Sequence, residues 1–204
     1  MKLGIDFDNT IACYDEAMHR RALERGLIEP GVPRNKKRIR DAIRSLEDGE
    51  SKWRGLQVFC YGPGMPDARP MPGVKEFLTA CKVRGVAVWV VSHKTEEANF
   101  GAPHVKLREA ALRWLHDEGF LDSAAFGIGQ DRVFFEQTRG AKVERVRMLG
   151  LTHFVDDLEE TFLEQSFPSH VKQILLSAVP VADARGSWRS FAGWAEIQKE
   201  LVGS

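Results

Sequence analysis

The chain has 204 residues, of which 43% are apolar, and its 29 basic residues balance its 29 acidic ones. This composition suits one globular domain with room for a small insertion, and it excludes global disorder. A net charge of zero gives no sign of a nucleic-acid partner, and no apolar run approaches the roughly 18 residues of a membrane helix.

The start of the chain and its cysteines favour a cytoplasmic protein. Met1 stands five residues before Asp6, which leaves no room for a signal peptide ahead of the first predicted strand. Cys13, Cys60 and Cys81 are widely spaced and form no metal-binding pair. We therefore expect reduced thiols, a cytoplasmic location and no membrane partner.

Five short apolar segments are predicted to be strands. They are LGID (3–6), VAVWVVS (86–92), RVFFE (132–136), HFVD (153–156) and KQILLS (172–177). Helical patterns lie between them at 74–85, 104–118 and 141–149, then at 158–165, with a last helix predicted over 188–201. Because strand and helix alternate, we expect an α/β fold with a doubly wound, Rossmann-like parallel sheet of about five strands.

The region after the first strand breaks this alternation. It contains three charged helical stretches, within 15–27, 35–48 and 51–62, separated by prolines and glycines. We interpret residues 13–69 as a small helical cap insertion, and residues 1–12 and 70–204 as the α/β core domain.

Polar side chains are predicted at the strand ends, where an open parallel sheet binds its ligands. The candidates are Asp6, Asp8, Ser92, His93, Lys94, Asp156 and Asp157, and Lys142 begins the helix that leads into the fourth strand. Two carboxylates about 4 Å apart repel by roughly 4 kcal/mol at an effective dielectric near 20, so a cluster of them favours a divalent cation such as Mg²⁺. A hydroxyl and an ammonium are suitable partners for phosphate oxygens.

Four motifs in chain order resemble those of the haloacid dehalogenase (HAD) superfamily. They are DFDNT (6–10), Ser92, Lys142 and VDD (155–157). The resemblance covers the predicted core domain, and it implies a hydrolase of the phosphatase branch with a small helical, C1-type cap.

The resemblance also implies catalytic and metal-binding roles. Asp6 would be the nucleophile that forms an aspartyl-phosphate. Asp8 would first be the general acid and then the base that activates water. Mg²⁺ would be bound by Asp6, the backbone carbonyl of Asp8, Asp156 and Asp157.

The implied phosphate-binding residues are Ser92, Lys142, Asn9 and His93. Asn9 is included among them because backbone N–H groups after Asp6 would donate to the phosphoryl group. Lys142 lies fourteen residues before Asp156, which is short for the family, so Lys94 and Lys106 stay open as alternative phosphate-binding lysines.

The implied function is Mg²⁺-dependent hydrolysis of a small phosphorylated metabolite, a phosphomonoester. An acidic residue at Asp8 resembles the phosphatase and phosphomutase branches, and differs from the dehalogenases. A phosphomutase or phosphotransferase is therefore an alternative. A non-catalytic phosphate-binding regulatory module is another, although the carboxylate of Asp8 argues against it.

Overall fold

A computed structural model describes residues 1–98, 104–179 and 187–203. The chain divides into two compact units. The first comprises Met1–Ala12, Pro70–Lys94 and Leu115–Ser204, and the second comprises Cys13–Arg69 and Thr95–Trp114. The assignment of 95–114 to the core domain differs from this division. Trp114 Nε1 donates to the carbonyl oxygen of Ala68 at 3.2 Å, a long-range bond with no local sequence signal.

Eight strands occur among the described residues. They are β1 Lys2–Ile5, β2 Ala12–Cys13, β3 Arg69–Pro70, β4 Ala87–His93, β5 Val133–Glu136, β6 His153–Asp156, β7 Lys172–Leu176 and β8 Trp188–Phe191. Six of them form a parallel sheet in the order β5-β4-β1-β6-β7-β8, and β2 pairs with β3.

The helices in the same part of the chain separate most of these strands. They are α1 Asp15–Glu24, α2 Lys36–Arg44, α3 Gly49–Tyr61, α4 Val74–Val83, α5 Leu107–Asp117, α6 Ser123–Phe126, α7 Arg139–Met148, α8 Glu159–Phe162 and α9 Trp194–Leu201. None of the described helices has both the length and the apolar character needed to cross a membrane.

The predicted α/β fold with a Rossmann-like parallel sheet is confirmed, with one strand more than the five predicted. The sixth, β8, lies inside the segment predicted as the last helix, and that part of the prediction is wrong. The helix begins only at Trp194, whereas Ser190 is paired in register with Leu175 of β7. A four-residue aromatic segment at a sheet edge is too short for its periodicity to separate strand from helix.

The middle of the sheet brings three strand ends together. β1 lies between β4 and β6, with Gly4 opposite Trp89 on one side and Phe154 on the other. All three strands run in the same direction, so their carboxyl ends meet at one edge. That edge carries the polar residues of the candidate site.

Gly4 is required by close packing against its neighbours. A Cβ added there would lie 2.5 Å from Phe154 Cδ2 and nearer still to Leu151 Cδ1. Both neighbours are fully buried, so neither has open space in which to move. The central strand therefore tolerates only glycine at this position without a shift of its surroundings.

We expect Gly4→Ala to lower the free energy of unfolding by about 1–3 kcal/mol, because overpacking forces buried side chains or backbone to move. Gly140→Ala is the matched control, since a Cβ at Gly140 in α7 meets nothing within 4 Å. Urea denaturation should show the control unchanged or up to about 1 kcal/mol more stable. Equal stability for Gly4→Ala and the native protein would contradict the packing described here.

Helices α1 to α3 belong to the second unit. Asn35 caps α2 by accepting hydrogen bonds from the backbone N–H groups of Lys37 and Arg38, at 3.1 and 3.2 Å. Ile39 and Ile43, four residues apart, are fully buried on one side of this helix. Lys37 and Arg38 are exposed, so part of the basic run at 34–40 is a solvated face.

Candidate active site

The two aspartates at the centre of the site extend neighbouring strands of the sheet. Asp6 follows β1 directly, and its backbone N–H donates to Val155 O at 2.9 Å, which continues the pairing with β6. Asp156 is the last residue of β6. Asp6 is 4% exposed and Asp156 is fully buried, so both carboxylates need polar partners.

Lys142 supplies a partner to both carboxylates. Its Nζ lies 2.6 Å from Asp6 Oδ1 and 2.5 Å from Asp156 Oδ2. Ser92 Oγ, near the end of β4, also donates to Asp6 Oδ1, at 2.8 Å. Two donors on one oxygen fix the orientation of the Asp6 carboxylate. The structure therefore brings the predicted Asp6, Ser92, Lys142 and Asp156 into direct contact.

Asp157 completes a group of three carboxylates. Ligand oxygens of Asp6, Asp156 and Asp157 lie within 4.8 Å of one another. Carboxylate oxygens are the ligands that Mg²⁺ prefers, and a metal–oxygen distance of about 2.1 Å places opposite ligands about 4.2 Å apart. The donor set thus suits one hard divalent cation after small side-chain adjustments.

Asp8 and Lys94 form a second ion pair. The Nζ of Lys94 lies 3.0 Å from Asp8 Oδ1 and 2.9 Å from Oδ2. The Lys94 side chain is 2% exposed, and that of Asp8 is 19% exposed. Asp8 therefore meets a different lysine from the one that contacts Asp6. From the sequence, Lys94 is expected at this strand end, as an alternative to Lys142 for binding phosphate, and its pairing with Asp8 is not predicted.

A signal for Lys94 was nevertheless present in the sequence. Successive side chains of an extended chain alternate between faces, so residues two apart share a face. The same spacing that groups Asp6 with Asp8 also groups Ser92 with Lys94. Lys94 extends the β4 pairing by donating its N–H to Glu136 O at 2.9 Å, so the chain is still extended there.

The other predicted phosphate-binding residues lie in different settings. His93 is exposed, and its Nε2 lies 3.2 Å from Gln137 O. The Asn9 N–H, expected to face phosphate, donates to Ala12 O at 2.8 Å, and Asn9 adopts a left-handed conformation with φ 59°. The Nζ of Lys106, at the start of α5, lies 2.9 Å from the exposed Glu109 carboxylate.

A further residue at this edge has no local sequence signal. Trp194 is fully buried at the start of α9, and its Nε1 donates to Thr10 O at 2.9 Å. The loop that follows Asp8 is thereby tied to the C-terminal helix. Sequence reasoning missed this contact because it joins residues 184 positions apart.

Burial and charge shift the protonation equilibria of the central pair. Burial raises the pKa of Asp6 to about 6; Lys142 opposes this rise, and Asp156 and Asp8 add to it. Burial lowers the pKa of Lys142, but Asp156 and Asp6 outweigh that effect and raise it. Lys142 is therefore an ammonium near neutral pH, and the site without a cation disfavours a charged Asp6.

This shift predicts how the stability of the metal-free protein depends on pH. A carboxyl whose pKa is raised from 3.8 to about 6 stabilises the fold below its unfolded value and loses that contribution as pH rises through about 6. Asp6→Asn removes the titrating group while keeping its shape. In EDTA the variant should be more stable than the native protein by about 3 kcal/mol at pH 7.5, and this difference should nearly vanish near pH 4.

Urea denaturation of both proteins at several pH values measures this difference. Subtracting the two curves removes the contributions of all other titrating groups. A constant difference between pH 4 and pH 7.5 would contradict the raised pKa of Asp6.

Comparison with solved structures identifies the fold. The chain has the fold of HAD-superfamily hydrolases. A HAD-superfamily hydrolase of subfamily IA from Geobacter sulfurreducens matches with a TM-score of 0.56 and 16% identity, over 98% of this chain and 95% of that chain. A HAD family hydrolase from Deinococcus radiodurans, solved with bound phosphate and sodium, matches with a TM-score of 0.55 and 14% identity, over 98% and 94%.

A third match is a predicted phosphoglycolate phosphatase from Haemophilus somnus, with a TM-score of 0.51 and 19% identity, over 97% of this chain and 96% of that chain. Dehalogenases are also among the matched structures. The sequence itself matches no protein-family model, and it has no significant match among curated proteins.

Proposed function

We propose that this protein is a HAD-superfamily phosphatase that hydrolyses a small phosphorylated metabolite with the help of Mg²⁺. The observation that supports this best is the contact set of Asp6: one of its oxygens meets both Lys142 Nζ and Ser92 Oγ, within 2.8 Å. An ammonium and a hydroxyl on a carboxylate oxygen are also suited to holding the oxygens of a phosphoryl group bound beside it.

The proposed reaction has two displacements at phosphorus. In the first, an Asp6 oxygen bonds to phosphorus while the bond to the leaving oxygen breaks, and Asp8 gives that oxygen a proton. In the second, water attacks phosphorus and gives its proton to Asp8, and the bond to Asp6 breaks. The products are an alcohol and inorganic phosphate, and both aspartates return to their starting state.

Asp6, Asp156 and Asp157 would hold the Mg²⁺, together with the backbone carbonyl of Asp8. When bound, the cation would offset the charge of the carboxylates and polarise phosphoryl oxygens. Lys142 and Ser92 would orient the phosphoryl group, and the burial of Asp6 and Asp156 would keep bulk water from the reacting atoms.

Asp8 favours phosphate release over dehalogenation. A halide ion departs without taking a proton, whereas an alkoxide leaving group needs one. Asp8 is less buried than Asp6, with 19% of its side chain exposed, and it is oriented by Lys94 through both oxygens. This contact holds the plane of the Asp8 carboxyl group in one orientation.

A substrate panel tests the proposal. The native protein is assayed for phosphate release from phosphorylated sugars, hydroxy acids, nucleotides and p-nitrophenyl phosphate, with Mg²⁺ and with EDTA. Halide release from 2-haloacids is measured in parallel, and all organic products are identified. We expect phosphate release with Mg²⁺ only, and no halide.

Each of the other outcomes points to a different function. Transfer of phosphate to a second hydroxyl would indicate a phosphotransferase or a phosphomutase. Halide release without phosphate release would indicate a dehalogenase. Absence of both reactions, with phosphate still bound, would indicate a non-catalytic phosphate-binding module.

A further inference from the structure

A buried lysine outside the four motifs contacts one of the two catalytic aspartates. The side chain of Lys94 is 2% exposed, and its Nζ lies about equally far from both oxygens of Asp8, at 3.0 and 2.9 Å. Lysines are almost never this buried without a charged partner, because the ammonium loses its hydration. Asp8 is the partner here.

The surroundings hold the lysine in place from several sides. Its backbone N–H donates to Glu136 O at 2.9 Å, which anchors the residue next to β5. Its Nζ lies 5.4 Å from the centroid of the Phe7 ring, and that ring packs edge to face on Phe135 at 5.7 Å. The Lys94 ammonium therefore lies next to packed aromatic rings of the first unit while it contacts Asp8.

Stabilisation of the fold does not by itself explain why Lys94 pairs with Asp8. A buried ion pair often contributes no more stability than apolar residues of the same volume. Asp8 is also the more exposed member, and its carboxylate could be hydrated without help from a lysine. A cation fixed on both oxygens of a partly exposed carboxylate does one thing that water cannot do, which is to hold its plane in one orientation.

The two buried lysines contact different catalytic aspartates. Lys142 contacts Asp6 and Asp156, and Lys94 contacts Asp8. We propose that Lys94 is a positioning residue, which holds the Asp8 carboxyl group in the orientation needed to give a proton to the leaving oxygen and later to take one from water. This inference rests on the proposed phosphatase function.

A positioning role through Asp8 makes the effect of Lys94 depend on the leaving group. The value of kcat/KM reports the steps up to departure of the first product. A nitrophenolate departs readily without a proton, whereas an alkoxide does not, and general acid catalysis contributes about 10² to 10⁴-fold. In Lys94→Met we expect kcat/KM to fall about 10²-fold for alkyl phosphates and less than about tenfold for p-nitrophenyl phosphate.

Two further measurements separate positioning from other roles. Inhibition by inorganic phosphate should be unchanged in Lys94→Met, because the phosphoryl group is held by other residues. In an Asp8→Asn background, Lys94→Met should cause little additional loss, since the group that it positions is already gone. Lys199→Met is the matched control: Lys199 is an exposed lysine on α9, and its loss should leave all rates unchanged.

The outcomes distinguish this inference from the proposed function. If the native protein releases no phosphate from any substrate, the proposed phosphatase function and the positioning role of Lys94 are both wrong. If the native protein is active and Lys94→Met loses equal activity on all leaving groups with weaker phosphate inhibition, Lys94 binds the phosphoryl group and the positioning role is wrong. An active, unchanged Lys94→Met would show that the pair has no catalytic use.

Thermal unfolding of each variant checks that it folds. Lys94→Arg keeps the positive charge, so it should recover part of the activity that Lys94→Met loses.

Discussion

Asp6→Asn should lower Mg²⁺-dependent phosphate release by about 10³-fold or more, because an amide oxygen cannot form the bond to phosphorus that a carboxylate forms. The substitution preserves the shape of the side chain and the oxygen that accepts from Ser92 and Lys142. It also removes a buried carboxylate whose pKa is raised to about 6. The variant should thus be inactive and yet more stable in EDTA at neutral pH.

This combination separates chemistry from folding. A variant that loses activity by unfolding would lose stability as well, whereas a lost nucleophile leaves the fold intact or improved. Asp117→Asn is the matched control, because Asp117 is an exposed aspartate on α5 and should keep full activity. Asp6→Asn activity within tenfold of the native rate would remove Asp6 from the nucleophile role.

Lys142→Met should damage both activity and stability. The Lys142 side chain is 3% exposed, and its ammonium contacts Asp6 at 2.6 Å and Asp156 at 2.5 Å. Its loss therefore leaves two buried carboxylates without that partner. Removing one member of a buried ion pair costs about 3–5 kcal/mol. Phosphate release should fall about 10² to 10³-fold, because the proposed charged donor to the phosphoryl group is lost.

The stability loss should also depend on conditions in a defined way. It should be largest near pH 7.5 in EDTA and smaller near pH 5, because burial raises the pKa of Asp6 to about 6 and a protonated Asp6 no longer needs a cation. Urea denaturation measures it, with Lys199→Met on the exposed surface of α9 as the control. Native stability for Lys142→Met in EDTA at pH 7.5 would contradict the bridging role.

The central strands and their polar ends were predictable because the signal is local. Asp6, Ser92 and Asp156 stand at or near the ends of short apolar runs, and the carboxyl ends of parallel strands meet at one edge. The order of the strands then brings the three residues together. Lys142 contacts two of them, and no periodicity in the sequence marks that geometry.

Features that depend on long-range pairing were missed. The sequence predicts a helix for the aromatic segment of β8, whereas the segment forms a strand because it pairs with β7. Trp194 reaches Thr10 across most of the chain, and Trp114 reaches Ala68. The two-residue spacing groups Lys94 with Ser92, but the ion pair of Lys94 with Asp8 joins strand ends 86 residues apart and depends on the order of the strands.

Detection of a phosphoryl group on Asp6 tests the proposed chemistry most directly. Native protein and Asp8→Asn are mixed with substrate and Mg²⁺, quenched in acid during the first turnover, and digested for mass spectrometry. We expect the peptide containing Asp6 to gain the mass of one phosphoryl group. This label should accumulate in Asp8→Asn, and Asp6→Asn should never carry it. Phosphate release in the first turnover, with an unlabelled Asp6 peptide at every time point in both proteins, would contradict the proposed chemistry.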